Sequence, residues 1–306
     1  MLKRTKLTLH IFLLSGLLAL SPILSGQEKH DYQWWADAHN WDGVTHWSRY
    51  IKRLPGYMGP NALPIPELGN AKTAQRTSLK VAAEYHKSHR EMAVNPYLNL
   101  DMVVVKDKVA LNFIYRPFEY YETDAYIRHE RYGRNKDRKG YAKSDLYIGT
   151  LIQILDAEKH PLDAQLRIML KTTSGKDFAN GRHTDAPAYL FDLNFGKQLF
   201  QSDNFISEIS LYSMAGLFVW QMEFDNNRQN DAYLYGLRTD VQLQHFRCSF
   251  TFSGYSGYMN MRDKPMAMRY SISTQRHNKT IELSYQQGLR DIIKHSLRLG
   301  MAYHFN

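Results

Sequence analysis

His39, Asp42 and His46 carry the imidazole and carboxylate groups that bind divalent metals when a fold brings them together. Their intervals match neither HExxH nor another standard zinc pattern, so no metal and no cofactor is expected. Capping and packing hydrogen bonds account for them equally well. A second stretch, Asp177-Phe178-Ala179-Asn180-Gly181-Arg182, is followed closely by His183 and Asp185. It gathers acid, amide and imidazole groups, the material of acid–base chemistry. The third is the run from Tyr120 to Lys143. It sets Arg128, Arg131, Arg134, Lys136, Arg138, Lys139 and Lys143 against Glu122, Asp124, Glu130 and Asp137. That is either a solvated loop or a surface that meets anionic lipopolysaccharide or an acidic solute through guanidinium–phosphate pairing.

The elements that position these groups follow from a period of two. Leu162, Ala164, Leu166, Ile168 and Leu170 alternate with Asp163, Gln165, Arg167 and Lys171. Tyr233, Tyr235, Leu237, Val241 and Leu243 alternate with Arg238, Asp240, Gln242 and Gln244. Met266 to Gln275 and Ile281 to Gln286 repeat the pattern, and weaker versions begin near Leu79, Leu98, Val109, Leu146, Tyr189, Phe205 and Cys248. Such alternation marks strands with one apolar and one polar face. The polar faces place Asp163, Arg167, Arg238, Asp240, Arg269, Glu282 and Arg298 in an interior of mixed sign, which favours salt bridges across a narrow or filled lumen.

A sandwich alternates too, and connection lengths separate the two architectures. If the first strand runs outward, the inner connections are short: Lys106 to Lys108, Asp156 to His160, Gln198 to Asn204, Gln244 to Phe246 and Arg276 to Asn278. Most outer ones are longer: His86 to Pro96, Tyr120 to Lys143, Thr173 to Pro187 and Gly257 to Pro265. Short inner turns and long outer loops belong to membrane barrels.

The chain ends agree. Lys3, Arg4 and Lys6 precede an apolar stretch from Ile11 to Leu20, and small residues follow at Ser25-Gly26, so residues 1–26 read as a cleaved signal peptide. After it, no apolar run reaches the roughly 20 residues a spanning helix needs, so any membrane insertion must use strands. The 21 Tyr and 14 Phe suit strands and interfacial girdles. Cys248 stands alone and forms no internal disulfide. The net charge of +9 comes with no basic helix or nucleic-acid motif, so nucleic acid is not an expected partner.

At the other end, Leu297, Leu299, Met301, Tyr303 and Phe305 alternate with polar and small residues. Arg298, Gly300, Tyr303 and Phe305 resemble the C-terminal insertion signal of the outer-membrane β-barrel proteins of Gram-negative bacteria, with Asn306 following the last aromatic. The resemblance implies an all-β fold: a transmembrane antiparallel up-and-down β-barrel of about twelve strands over residues 77–306. It also implies contact with lipid and lipopolysaccharide, and insertion by the barrel-assembly machinery. Twelve strands invite comparison with outer-membrane phospholipase A, whose motif is His-x-Ser-Asn-Gly. Aligned on Asn180-Gly181, this chain has Asp177 in place of the His and Ala179 in place of the Ser. Without that hydroxyl a base has nothing to activate, and no catalytic residues are assigned.

Residues 27–76 do not alternate. Trp34, Trp35, Trp41 and Trp47 cluster there, and Pro55, Pro60, Pro64 and Pro66 force extended or turned backbone after them. Four tryptophans argue against disorder and for a plug or periplasmic cap burying them in the lumen or its inner rim. Three functional classes stay open: a narrow or partly plugged pore for small solutes, a structural or interaction barrel of the envelope, and a lipid-modifying enzyme. Replacing both Tyr303 and Phe305 by Ala is expected to lower sharply the amount reaching the outer membrane, measured by fractionation and heat-modifiable migration. Normal levels would reject the insertion-signal reading.

Overall fold

The computed structural model describes residues 32–305. The expected signal peptide lies outside the described residues. The chain divides into two compact units at Trp34, of which the second, residues 35–306, holds the barrel.

Fourteen strands form one antiparallel sheet: β1 (Ser78–Lys87), β2 (Glu91–Val105), β3 (Val109–Tyr115), β4 (Glu119–Thr123), β5 (Lys139–Ala142), β6 (Tyr147–Leu155), β7 (Asp163–Lys171), β8 (Ala188–Gln201), β9 (Ile206–Gln221), β10 (Gln229–Leu243), β11 (Arg247–Ser256), β12 (Met266–Arg276), β13 (Lys279–Arg290) and β14 (His295–His304). Twelve of them close a barrel. β1 pairs with both β14 and β2, and β3 reaches past the β4–β5 hairpin to pair with β6. β4 and β5 stand outside the closed ring and extend it, β4 pairing on the first residues of β2 and β5 on β4.

The period-two reading survives in three dimensions. Ile168, Leu170, Phe191, Leu193, Leu297, Leu299 and Met301 face outward and stay exposed, whereas Gln165, Arg167, Asp192, Asn194 and Arg298 point inward and are buried. An apolar exterior around a polar interior inverts a soluble protein and suits a lipid surround.

Connections sort by end. At one end, the turn end, 106–108, 244–246 and 277–278 are tight. At the other, the loop end, 116–146 and 172–187 are long.

Two expectations are corrected. The outer loop from His86 to Pro96 shrinks to residues 88–90, because β2 begins at Glu91 and runs through Pro96. Pro96 sits in the gap between the β4 pairing, which ends at Val94, and the β3 pairing, which starts at Leu98, so its missing N–H breaks no ladder on that side. The charged run from Tyr120 to Lys143 is also structured: besides β4 and β5 it holds a short helix, Ala125–Glu130, capped by Asp124.

Candidate functional site

The lumen is occupied by the chain's own lead segment, which crosses it from end to end. A short helix, α1 (Gln33–His39), and single 3-10 turns at Trp47–Tyr50 and Pro55–Tyr57 precede an extended run to Thr73. Prolines deny this run the N–H groups a strand would need, so side chains and loops serve its backbone instead. Starting at the loop end, Trp220 Nε1 donates to Arg53 O at 2.8 Å and Gly59 N donates to Gly181 O at 2.7 Å. Midway, Tyr255 OH donates to Leu63 O at 2.7 Å and Arg167 Nη1 to Glu67 O at 2.8 Å. Toward the turn end, Gly69 N donates to Asn194 Oδ1 at 3.2 Å, and Gln153 both donates to Ala71 O and accepts from Thr73 N.

Glycine permits two of the close approaches. A Cβ on Gly59 would lie 2.6 Å from Arg182 Cζ, and one on Gly56 would lie 2.5 Å from Arg262 Cβ. Leu54, Leu63, Ile65 and Leu68 then bury against Met169, Leu190, Met214, Phe218 and Tyr255 of the inner wall. Each such burial stabilises by roughly 1.5–3 kcal/mol.

Ion pairs fasten the segment on its other side. Glu84 accepts from Arg116 Nε at 2.7 Å and from Arg298 Nε at 2.8 Å. Arg298 also pairs with Glu67 of the lead segment, and Arg269 lies 3.4 Å from the same carboxylate. The other expected interior residues are here too. Arg167 pairs with Asp192 at 2.8 Å, Arg238 with Asp240 at 2.6 Å, Glu282 with Lys80 at 2.7 Å, and Asp163 with Lys72 at 3.5 Å.

Sequence reasoning missed Glu67 and Glu84. Glu84 carried a readable signal, its place on the polar face of β1 beside Lys80 and His86. Glu67 carried none, because the lead segment has no period. A second buried cluster also escaped notice: Arg182 and Arg131 share Glu91, and Arg182 also pairs with Glu119 beneath the loops.

The tryptophans are not what fills the lumen. Trp35 is buried, but its Nε1 donates to Tyr132 O, and Trp47 packs on Phe178; both partners belong to loop-end connections. Trp41 is exposed and Trp34 half-buried within α1. Aromatic content signals burial without saying where. Arg134 is held between Trp35 and Trp47, and Arg131 is buried on Glu91, so neither guanidinium presents itself freely to an outside phosphate.

The other chemical candidates are structural in their contacts. Asp42 accepts from Val44 N and Thr45 N, and His46 bonds Ser48. His39 stacks on His129 at 4.5 Å, with Asp42 and His46 engaged elsewhere. Asp177 accepts from Tyr121 OH at 2.7 Å, and burial raises its carboxyl to about 6.

Two cavities flank the segment, one bounded by β1 to β3, β6 to β8 and β12 to β14, the other by β10 to β14. One, about 80 Å³, runs from Glu67 toward Ile292 and Ile293 at the loop end. The other, about 980 Å³, opens at the turn end among polar side chains of β10 to β14. Both are lined by Glu67, Arg269 and Arg298, so this ion-paired knot separates them.

Among solved structures, an outer-membrane channel of Pseudomonas putida F1 aligns with a TM-score of 0.54 at 8% identity, over 78% of this chain and 100% of that one. The KdgM porin aligns at 0.46 with 9% identity, over 75% and 99%. The transport unit of the Escherichia coli autotransporter AIDA-I aligns at 0.46 with 7% identity, over 80% and 94%. No family model and no curated protein matches the chain. The fold is therefore that of a closed antiparallel β-barrel like that of an outer-membrane channel. Within it, this chain is a twelve-stranded barrel whose own N-terminal stretch threads the lumen.

His39 supplies a test of how the loop-end part of the segment is held. Burial, then the charges of His129 and Arg128, lower its pKa from 6.5 to about 4. The unfolded or detached ring takes up a proton near 6.5 and the docked one resists it, so docking is fully supported above that pH and weakens as pH falls toward 4. Proteolysis within residues 35–50 is expected to rise over that window, and His39→Gln is expected to flatten the profile. Identical profiles for both proteins would reject the role of His39.

Proposed function

We propose that the protein is a narrow pore for small solutes, held closed by the lead segment acting as a plug. One observation carries the reading: Glu67 ties the segment to Arg269 and Arg298 at the only knot that both flanking cavities share among the described residues. A barrel serving purely as scaffold gains nothing from a chamber of about 980 Å³ stopped by ion pairs. Twelve strands fall between the roughly eight of side-chain-filled barrels and the 16–18 of open porins. A lumen of that size becomes a selective conduit once its filler shifts.

In this reading residues 27–76 are the plug segment, following a cleaved signal peptide, and the barrel sits in the bacterial outer membrane after assembly-machine insertion. The turn end faces the periplasm and the loop end faces outward, toward lipopolysaccharide. Kinetic opening needs only local release. Extraction of the whole segment would expose Leu54, Leu63, Ile65 and Leu68 together, whereas swinging the Glu67 side chain away from Arg269 and Arg298 breaks only its ion pairs.

Glu67→Arg places a third cation beside Arg269 and Arg298. In planar bilayers it is expected to raise open probability or single-channel conductance several-fold over the wild type. Silent membranes with correctly folded, heat-modifiable protein would reject the pore. The orientation has its own check. Gly43 is exposed, with φ +76° and open space around it, so a peptide tag inserted after it is expected to leave the fold intact and to be stained on unpermeabilised cells. Staining only after permeabilisation would reverse the assigned sidedness.

A further inference from the structure

We propose that the turn-end chamber is a binding vestibule for small anionic solutes bearing carboxylate or phosphate groups. This deepens the pore reading by naming the class of solute, and it rests on that reading only for onward passage.

Five arginines line the chamber: Arg238, Arg247, Arg269, Arg276 and Arg298. The acids among its lining residues are Glu67 and Glu282, and both are engaged: Glu67 by Arg269 and Arg298, Glu282 by Lys80. Arg238 is held by Asp240. Arg247 donates to the neutral amide oxygen of Gln242 at 3.1 Å, and among the described residues neither it nor Arg276 has an acidic partner. Two guanidinium charges are therefore left uncompensated, Arg247 on the chamber wall and Arg276 exposed at its turn-end rim, with His245, His277 and His304 around the same rim.

Low-dielectric walls focus such a field and concentrate counter-ions within the cleft. Guanidinium groups present paired donors suited to carboxylate and phosphate oxygens. The chamber already shows this recognition, because Glu67 presents a carboxylate to Arg269 and Arg298 at its inner end. With a volume of about 980 Å³ it admits small solutes carrying several charged groups. Most of the remaining wall, including Ser249, Ser271, Ser273 and Thr251, offers hydroxyls, with Leu68 the apolar residue among its lining side chains.

Ser273 pairs directly across from Arg247, which makes it the probe position. The test uses the full chain carrying Ser273→Cys, with Cys248→Ser to remove the native thiol. Two water-soluble methanethiosulfonates are compared, one bearing a sulfonate and one a trimethylammonium, each normalised to its rate with a simple thiol. The anionic reagent is expected to react at least about tenfold faster than the cationic one. Adding Arg247→Gln and Arg276→Gln should bring the ratio close to unity, and citrate should slow labelling of the parent by competition. Equal normalised rates, a faster cation, or no labelling by either reagent would overturn the proposal. The readout does not require ions to cross the barrel. An anionic preference here with silent Glu67→Arg membranes would sink the pore and leave the vestibule, and conduction without the preference would do the reverse.

Discussion

A stretch of chain buried without a strand partner must still satisfy its backbone groups, and the lead segment has to do so inside a closed barrel. Every exposed amide or carbonyl left dry there would cost about 1–3 kcal/mol. The inner wall answers with side chains at spaced positions: Trp220, Tyr255, Arg167, Asn194 and Gln153 each meet one or two backbone groups of the segment. The prolines make that answer feasible by removing donors that no wall residue could reach. Sequence composition and lumen chemistry are thus two halves of one solution, which explains why a segment lacking regular structure takes a single path.

The same constraint shapes the charges. Buried ion pairs contribute little net stability, because desolvation consumes most of the Coulombic gain, yet removing one partner is expensive. Glu84 between Arg116 and Arg298, with Glu67 beyond, forms a chain in which every carboxylate serves two guanidiniums. Such a chain fixes the relative positions of β1, β3, β12, β14 and the lead segment more than it strengthens the barrel. Arg298 therefore has two duties. It lies in the C-terminal stretch that resembles an insertion signal, and in the finished barrel it holds Glu84 and Glu67. Beside it, Gly300 permits close contact: a Cβ there would sit 2.7 Å from that of Ala82 across the β1–β14 seam.

Much of the barrel was legible because its signal is local. Leu166, Ile168 and Leu170 against Gln165 and Arg167 specify two faces without any knowledge of neighbours, and in β7 Gln165 and Arg167 are buried while Ile168 and Leu170 are exposed. Local rules misled at Pro96, where a breaker residue is absorbed by a gap between two pairings. They were silent on the lead segment, whose path depends on contacts more than a hundred residues away, such as Leu63 with Tyr255. The tryptophans show the limit most clearly. Their number suggested burial, yet only Trp35 of the four is buried, and its address among the loop-end connections rests on distant contacts such as that with Tyr132.

The interior divides into unlike halves. Toward the loop end, the wall of β6 to β11 is apolar and the segment packs on it through Leu54, Leu63 and Ile65. Along β10 to β14, nearer the turn end, the wall turns to arginine, serine and threonine, and the segment leaves open space there. A filler meant only to stabilise the barrel would occupy both halves, since each unfilled cavity forgoes packing energy. Leaving one half polar and open forgoes that gain along five strands. The asymmetry makes sense if the apolar half anchors the segment while the polar half admits a solute up to Glu67, where the side chain that closes the chamber is the one most readily displaced by a competing anion.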